Sequence, residues 1–269
     1  MQPLAVRILA FGWLTAFAVS PPAAFAQTYP VPGPSPDESR GLLTRSAFFV
    51  SFARMRTDDP RFSSVEHGRA DLDLFGYGRG RANFLVDTEL LMGSERRTFD
   101  LNHVNVIVET SLSYRLAPMA VAAVFRHESR HVVDREFDRV PAWHTVGARA
   151  ERRFLTPKST IDVSLDYARV VQHTFVDYTW TSQLTIRLDR PLRPRAHLFA
   201  SGSGGFVGVD RSVLNRGPQT GVHAEGGVHF LAERAGVDLF AAFERRIDGY
   251  PTSREPSSWF ELGFRLRSQ

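Results

Sequence analysis

From about Arg45 onward, apolar and polar residues alternate with a period of two, in short stretches separated by turn signals. That is the pattern of β-strands with two chemically different faces. Over 103–115, Val104, Val106, Val108, Leu112 and Tyr114 share one face, and Asn105, Glu109, Ser111 and Ser113 share the other. Over 176–188, Tyr178, Trp180, Leu184, Ile186 and Leu188 oppose Asp177, Thr179, Gln183 and Arg187; over 221–232, Val222, Ala224, Val228 and Phe230 oppose His223, Glu225 and His229. The same periodicity predicts strands over 45–54, 69–77, 81–92, 103–115, 119–133, 142–154, 160–172, 176–188, 196–204, 221–232, 237–247 and 259–267. The polar faces carry too much charge for the dry core of a soluble sandwich.

The connections between these strands sort by parity. The even-numbered ones, 78–80, 116–118, 155–159, 189–195 and 233–236, are short. The odd-numbered ones, 55–68, 93–102, 134–141, 205–220 and 248–258, are longer, apart from a short connection near His173. Short turns at one end and long loops at the other are the habit of outer-membrane barrels, whose apolar face meets lipid and whose polar face lines the lumen. The expectation is therefore an all-β chain folded as a single antiparallel transmembrane β-barrel of about twelve strands. Trp143, Trp180 and Trp259 fall near the long-loop ends, where an aromatic girdle is expected. The final segment, WFELGFRLRSQ, puts Phe260, Leu262, Phe264 and Leu266 on one face. It resembles the C-terminal assembly strand of bacterial outer-membrane proteins, although it ends in Gln269 rather than an aromatic residue. That resemblance implies a Gram-negative outer membrane as the location, with outer-membrane lipid and the barrel-assembly machinery as partners.

Composition narrows the rest. Residues 1–26 carry Arg7, an apolar run from Ile8 to Val19 and a small-x-small Ala24-Phe25-Ala26 site, the layout of a secretory signal peptide that is removed on export. Residues 27–43 are rich in proline and predict a periplasmic leader, leaving 44–269 for the barrel. No other stretch is long and apolar enough for a membrane helix, and mean hydropathy is −0.20, so insertion must use strands. There is no cysteine, which excludes a disulfide scaffold and a thiolate metal site. The net charge is +4 and Lys158 is the only lysine. The positive charge is thus carried by arginine, which can grip phosphate or carboxylate in a fork. No dinucleotide fingerprint and no basic–aromatic nucleic-acid surface is present, so no cofactor and no nucleic-acid partner is expected.

One string carries candidate chemistry: Phe125-Arg126-His127-Glu128-Ser129-Arg130-His131, followed by Asp134. Three readings compete. His127-Glu128-x-x-His131 matches the zinc-protease motif, but that motif works on a helix. On a strand the two histidines stand about 13 Å apart and cannot share an ion, so no metal site is expected. The second reading starts from His127-x-Ser129, which resembles the His-x-Ser core of the outer-membrane lipid A deacylases. The resemblance implies Ser129 as nucleophile and His127 as general base, on the wall that faces lipid. Asp134 is the first choice of orienting carboxylate, with Glu136 and Asp138 behind it, and Arg126 and Arg130 face inward or reach lipid phosphates at the rim. His127, Ser129, His131 and Asp134 also fit a His-x-Ser-x-His-x-x-Asp pattern of uncharacterised barrels. The third reading is a polar rim without catalysis, in which His131, His103 and His144 gather at one level. Two functions therefore stand side by side: a porin-like narrow pore or structural barrel, and an outer-leaflet lipid hydrolase. Whether the chain is an enzyme is left open at this point.

Overall fold

The computed structural model describes residues 40–134, 139–233 and 235–268. The expected signal peptide over 1–26 and the expected leader, up to residue 39, lie outside the described residues. Among the described residues the chain forms twelve strands: β1 (Arg40–Arg56), β2 (Ser64–Tyr77), β3 (Gly80–Gly93), β4 (Asp100–Leu116), β5 (Met119–Val132), β6 (Ala142–Thr156), β7 (Ser159–Thr174), β8 (Tyr178–Arg193), β9 (Ala196–Val209), β10 (Gln219–Leu231), β11 (Ala235–Arg246) and β12 (Ser257–Ser268). Each pairs antiparallel with its sequence neighbours, and β1 closes the cylinder on β12 from Phe49↔Arg267 to Arg56↔Phe260. Closure leaves no unpaired edge, the condition for strands to cross a bilayer. No described helix is long and apolar enough to cross a membrane.

The alternation read from the sequence is the alternation of the wall, except at Tyr178, which the register shift before Trp180 turns inward, 2% exposed, rather than toward lipid. Large apolar side chains such as Phe48, Val50, Leu112, Phe125, Val146, Leu165, Leu184, Leu239, Phe260 and Leu262 are exposed on the outside. Charged side chains on the opposite parity are buried inside. This inverts the arrangement of a soluble protein and suits a wall immersed in lipid.

The strands are longer than the periodicity indicated. β1 begins at Arg40, inside the proline-rich stretch, and β2 takes in Ser64–Gly68, which the periodicity places in the 55–68 connection. β8 runs through Pro191 to Arg193 with an irregularity there, a place where a strand tolerates the missing donor. The glycines of 202–205 lie within β9 rather than at its end. Two of the three tryptophans expected in an outer girdle point inward: Trp143 and Trp259 are 2% and 1% exposed, and only Trp180 lies on the outside, stacked with Tyr167.

The lumen is lined with buried ion pairs. Glu109 accepts from Arg126 at 2.6 and 2.8 Å and from Arg149 at 2.8 and 3.0 Å, and Arg149 also reaches Asp166 at 2.7 Å. One ladder of charges thereby ties β4, β5, β6 and β7. A second joins Arg246 to Glu89 and Glu244, and a third joins Arg265 to Glu225 and Asp238. His229 bonds Asp238, and His223 and Glu225 share this inner face, as the sequence indicated. Buried charges at this density are tolerated only when paired. At the end with short turns, Arg45 and Arg81 hold Asp71 and Asp73.

The long connections fold over the other end. Arg216 pairs with both Asp177 and Asp248, and Tyr178 donates to Asp248 at 2.7 Å. Beside them, Phe62, Tyr250 and Trp259 pack in one apolar cluster.

Candidate functional site on the outer wall

The site is built by the phase of β5. Arg126 is drawn inward by Glu109. Two turns of the alternation later, Arg130 is 3% exposed; it donates to the carbonyls of Ile247 and Asp248 and lies over the Trp143 ring at 5.2 Å. Glu128, between them, is also buried inside. Because successive side chains on a strand take opposite faces, these three inward anchors turn His127, Ser129 and His131 outward. Arg126 and Arg130 are therefore parts of the lumen network and are not turned toward lipid phosphates.

Register brings further residues alongside. Ser129 lies opposite Val106 on β4 and Ala142 on β6, both short, and His127 lies opposite Val108 and His144. The Ser129 hydroxyl and Nε2 of His131 are 3.0 Å apart, a hydrogen bond by distance. The His127 and His144 rings sit 4.7 Å apart between centroids, and His144 also stacks on Phe125 at 5.8 Å. Nδ1 of His127 is buried with no hydrogen-bond partner among the described residues. Ser129 itself is 4% exposed, while His131 is exposed. The outer wall of β5 and β6 thus carries three imidazoles and one hydroxyl, and the histidine bonded to Ser129 is His131, not His127.

The other predicted members are elsewhere. His103 points into the cap, 1% exposed, edge-on to Phe62 and Tyr250 at 6.2 and 5.6 Å. It continues the inward parity of Asn105, Ile107 and Glu109 on β4; the register shift between Leu91 and Met92 comes only beyond it. Asp134 leaves the strand in the left-handed region, φ 54°, a conformation aspartate tolerates. Its carboxylate pairs with Arg97 and its carbonyl accepts from Arg96, so it does not hold an imidazole. Glu136 and Asp138 lie outside the described residues. The zinc-protease motif needs a helix, and His127 and His131 are on a strand.

Sequence reasoning missed Phe62, Tyr250 and Arg216, which close the top of the barrel. They lie in connections whose folding over the lumen leaves no periodic signal.

No protein-family profile matches the sequence, and no curated protein matches it. Solved structures do. Outer membrane phospholipase A from Escherichia coli aligns over 83% of this chain and 92% of its own, at 10% identity and a TM-score of 0.52. The Salmonella typhi outer membrane phospholipase dimer with bound calcium aligns over 83% and 90%, at 10% identity and 0.50. LpxR from Salmonella typhimurium aligns over 82% and 99%, at 9% identity and 0.47. Identities this low speak for the fold alone. With the closed cylinder, the apolar outside and the charged inside, the two phospholipase alignments make the chain a twelve-stranded β-barrel of the outer-membrane type.

Proposed function

We propose that this protein is a non-conducting barrel of the Gram-negative outer membrane that works on its outer wall, hydrolysing an acyl ester of an outer-leaflet lipid with Ser129. The observation that carries the reading is the 3.0 Å contact between the Ser129 hydroxyl and Nε2 of His131, on the face that meets lipid. A serine hydroxyl is a weak nucleophile until a neighbouring base takes its proton. His131 is the base in this arrangement. As Oγ attacks the ester carbonyl, the proton passes to Nε2 and then to the departing alkoxide, leaving an acyl-serine. Water, deprotonated by the same imidazole, then releases the fatty acid and restores the hydroxyl. His127 and His144 flank this centre without a direct bond to Ser129. Outer-membrane lipid is the substrate pool and the barrel-assembly machinery the route of insertion, both as partners implied by the architecture.

The resemblance to lipid A deacylases named His127 as base; the geometry favours His131 for that role. The filled lumen speaks against the porin-like alternative, since Glu244 and Asp238 are each 0% exposed and Arg246 1%. A purely structural barrel is the second reading. It is favoured by the burial of Ser129 and by the Arg97 pairing that keeps Asp134 from any imidazole. Mass spectrometry of lipid A and phospholipids from cells producing wild type or Ser129→Ala separates the two. Loss of an acyl chain only with wild type supports hydrolysis; identical spectra from two folded barrels leave the structural reading.

A further inference from the structure

A second feature of the outer wall lies on β1, β2, β3 and β12, away from Ser129. An open trough of 330 Å³ is lined by Val50, Phe52, Leu90 and Phe264, with Gly68 at its floor and Glu66 at one end. That volume is at the small end of the range for ligand pockets, roughly 300–1,000 Å³. Register explains its shape. Gly68 lies between Val50 and Thr88, so the wall loses a side chain between two short ones, and a Cβ built on Gly68 would meet nothing within 4 Å. Glu66, one outward position nearer the long loops, lies between Phe52 and Leu90.

The carboxylate is what makes the trough more than a dent in the wall. Glu66 projects from an apolar, lipid-facing surface and has no hydrogen bond or ion pair among the described residues. A charge on the lipid face is destabilising unless it meets a partner. Arg54, the next outward residue above Phe52, is exposed and also unpartnered among the described residues. Two opposite charges thus stand above one apolar slot without pairing to each other. A phospholipid headgroup with a phosphate and an ammonium complements them, and its tail descends from the same end.

We propose that this trough is a binding site for a zwitterionic, ammonium-bearing phospholipid such as phosphatidylethanolamine. One acyl chain fills the space over Gly68, the ammonium donates to Glu66 and the phosphate accepts from Arg54. The site is separate from Ser129 and does not depend on the chain being a hydrolase.

The test reconstitutes the full mature chain in vesicles containing a trace of phosphatidylethanolamine or phosphatidylglycerol with a photoactivatable diazirine in one acyl chain. Labelled residues are mapped by mass spectrometry. The site predicts labelling of 50–54, 66–68 and 88–90 at about tenfold that of the opposite wall on β7–β9, corresponding to about 1.4 kcal/mol of preference. Gly68→Phe, which fills the trough without a backbone clash, removes the excess. Glu66→Gln keeps the labelling but abolishes the preference for the ethanolamine lipid over the glycerol lipid. Ser129→Ala leaves both unchanged, so a failed hydrolase reading does not disturb this result. Heat-modifiable migration confirms that each variant is a folded barrel. Uniform labelling around the wall, or labelling indifferent to Gly68→Phe in a folded barrel, overturns the proposal. So does a crosslink joining two barrels through these residues.

Discussion

At the scale of residues, the chemistry turns on which imidazole serves Ser129. His127 and His131 are both two positions from Ser129 and share its face, so spacing treats them alike. The hydrogen bond goes to His131, while His127 packs against His144 across the β5–β6 pair. If His131 is the base, His131→Ala lowers ester hydrolysis in vesicles by about 10²–10⁴-fold, the usual contribution of a positioned acid–base group. His127→Ala leaves activity within a few fold, because its ring touches no reacting atom. Activity lost in His127→Ala and kept in His131→Ala would reverse the assignment. The outward position of the serine was legible in the sequence, since Met119, Val121, Ala123 and Phe125 set the parity that Ser129 continues. The choice between two equivalent neighbours was not, because side-chain rotamers decide it. Nor was the failure of Asp134, which follows from a left-handed backbone and a pairing with Arg97 across two long connections.

At the scale of elements, inward arginines hold the strands in phase. Glu109 receives two arginines from two different strands, so its loss leaves Arg126 inside the barrel without a bonded carboxylate and Arg149 with Asp166 alone. Glu109→Ala should therefore destabilise the barrel by about 3–5 kcal/mol, the penalty of leaving a buried charge without its partner. Urea titration of the vesicle-bound protein measures it, and an unchanged midpoint would mean the ladder contributes little. Most of this organisation was readable: Asn105, Glu109 and Ser111 on β4 and Arg126, Glu128 and Arg130 on β5 share a polar parity in the sequence and are lumen residues in the structure. The tryptophans show where residue type misled. Trp143 precedes the outward His144, and Trp259 precedes the outward Phe260, so parity sent both inward even though tryptophan is expected at a membrane interface. His103 was misplaced in the same way: it keeps the parity of Asn105 and Glu109, so alternation itself turns it inward, away from His131 and His144.

For the whole molecule, the account requires a barrel that is closed at its centre and capped at its long-loop end. In planar bilayers at neutral pH the protein should be silent. The cap is sensitive to acid with a definite sign. Burial works to raise the Asp248 carboxyl, but the bonds from Arg216 and Tyr178 outweigh it and hold the group below its ordinary value of 3.8. The stabilisation is thus fully present above that value and is lost as the pH falls through the lower, folded-state value. Cleavage within 210–217, read with proteases active across this range, such as pepsin at the acid end, should accordingly be slow from neutral pH down to about 4 and rise only in stronger acid. Arg216→Ala should make it rapid already at neutral pH; cleavage that ignores both changes would mean the clasp does not hold the loops. The closure of these loops had no counterpart in the sequence pattern, whereas the cylinder itself did. What remains is whether the outer wall does chemistry. The direct measurement is release of fatty acid from purified barrels in phospholipid and lipid A vesicles, followed by mass spectrometry. Wild type and His127→Ala should release it, and Ser129→Ala and His131→Ala should not; release by Ser129→Ala at the wild-type rate, or by none of the four, contradicts the account.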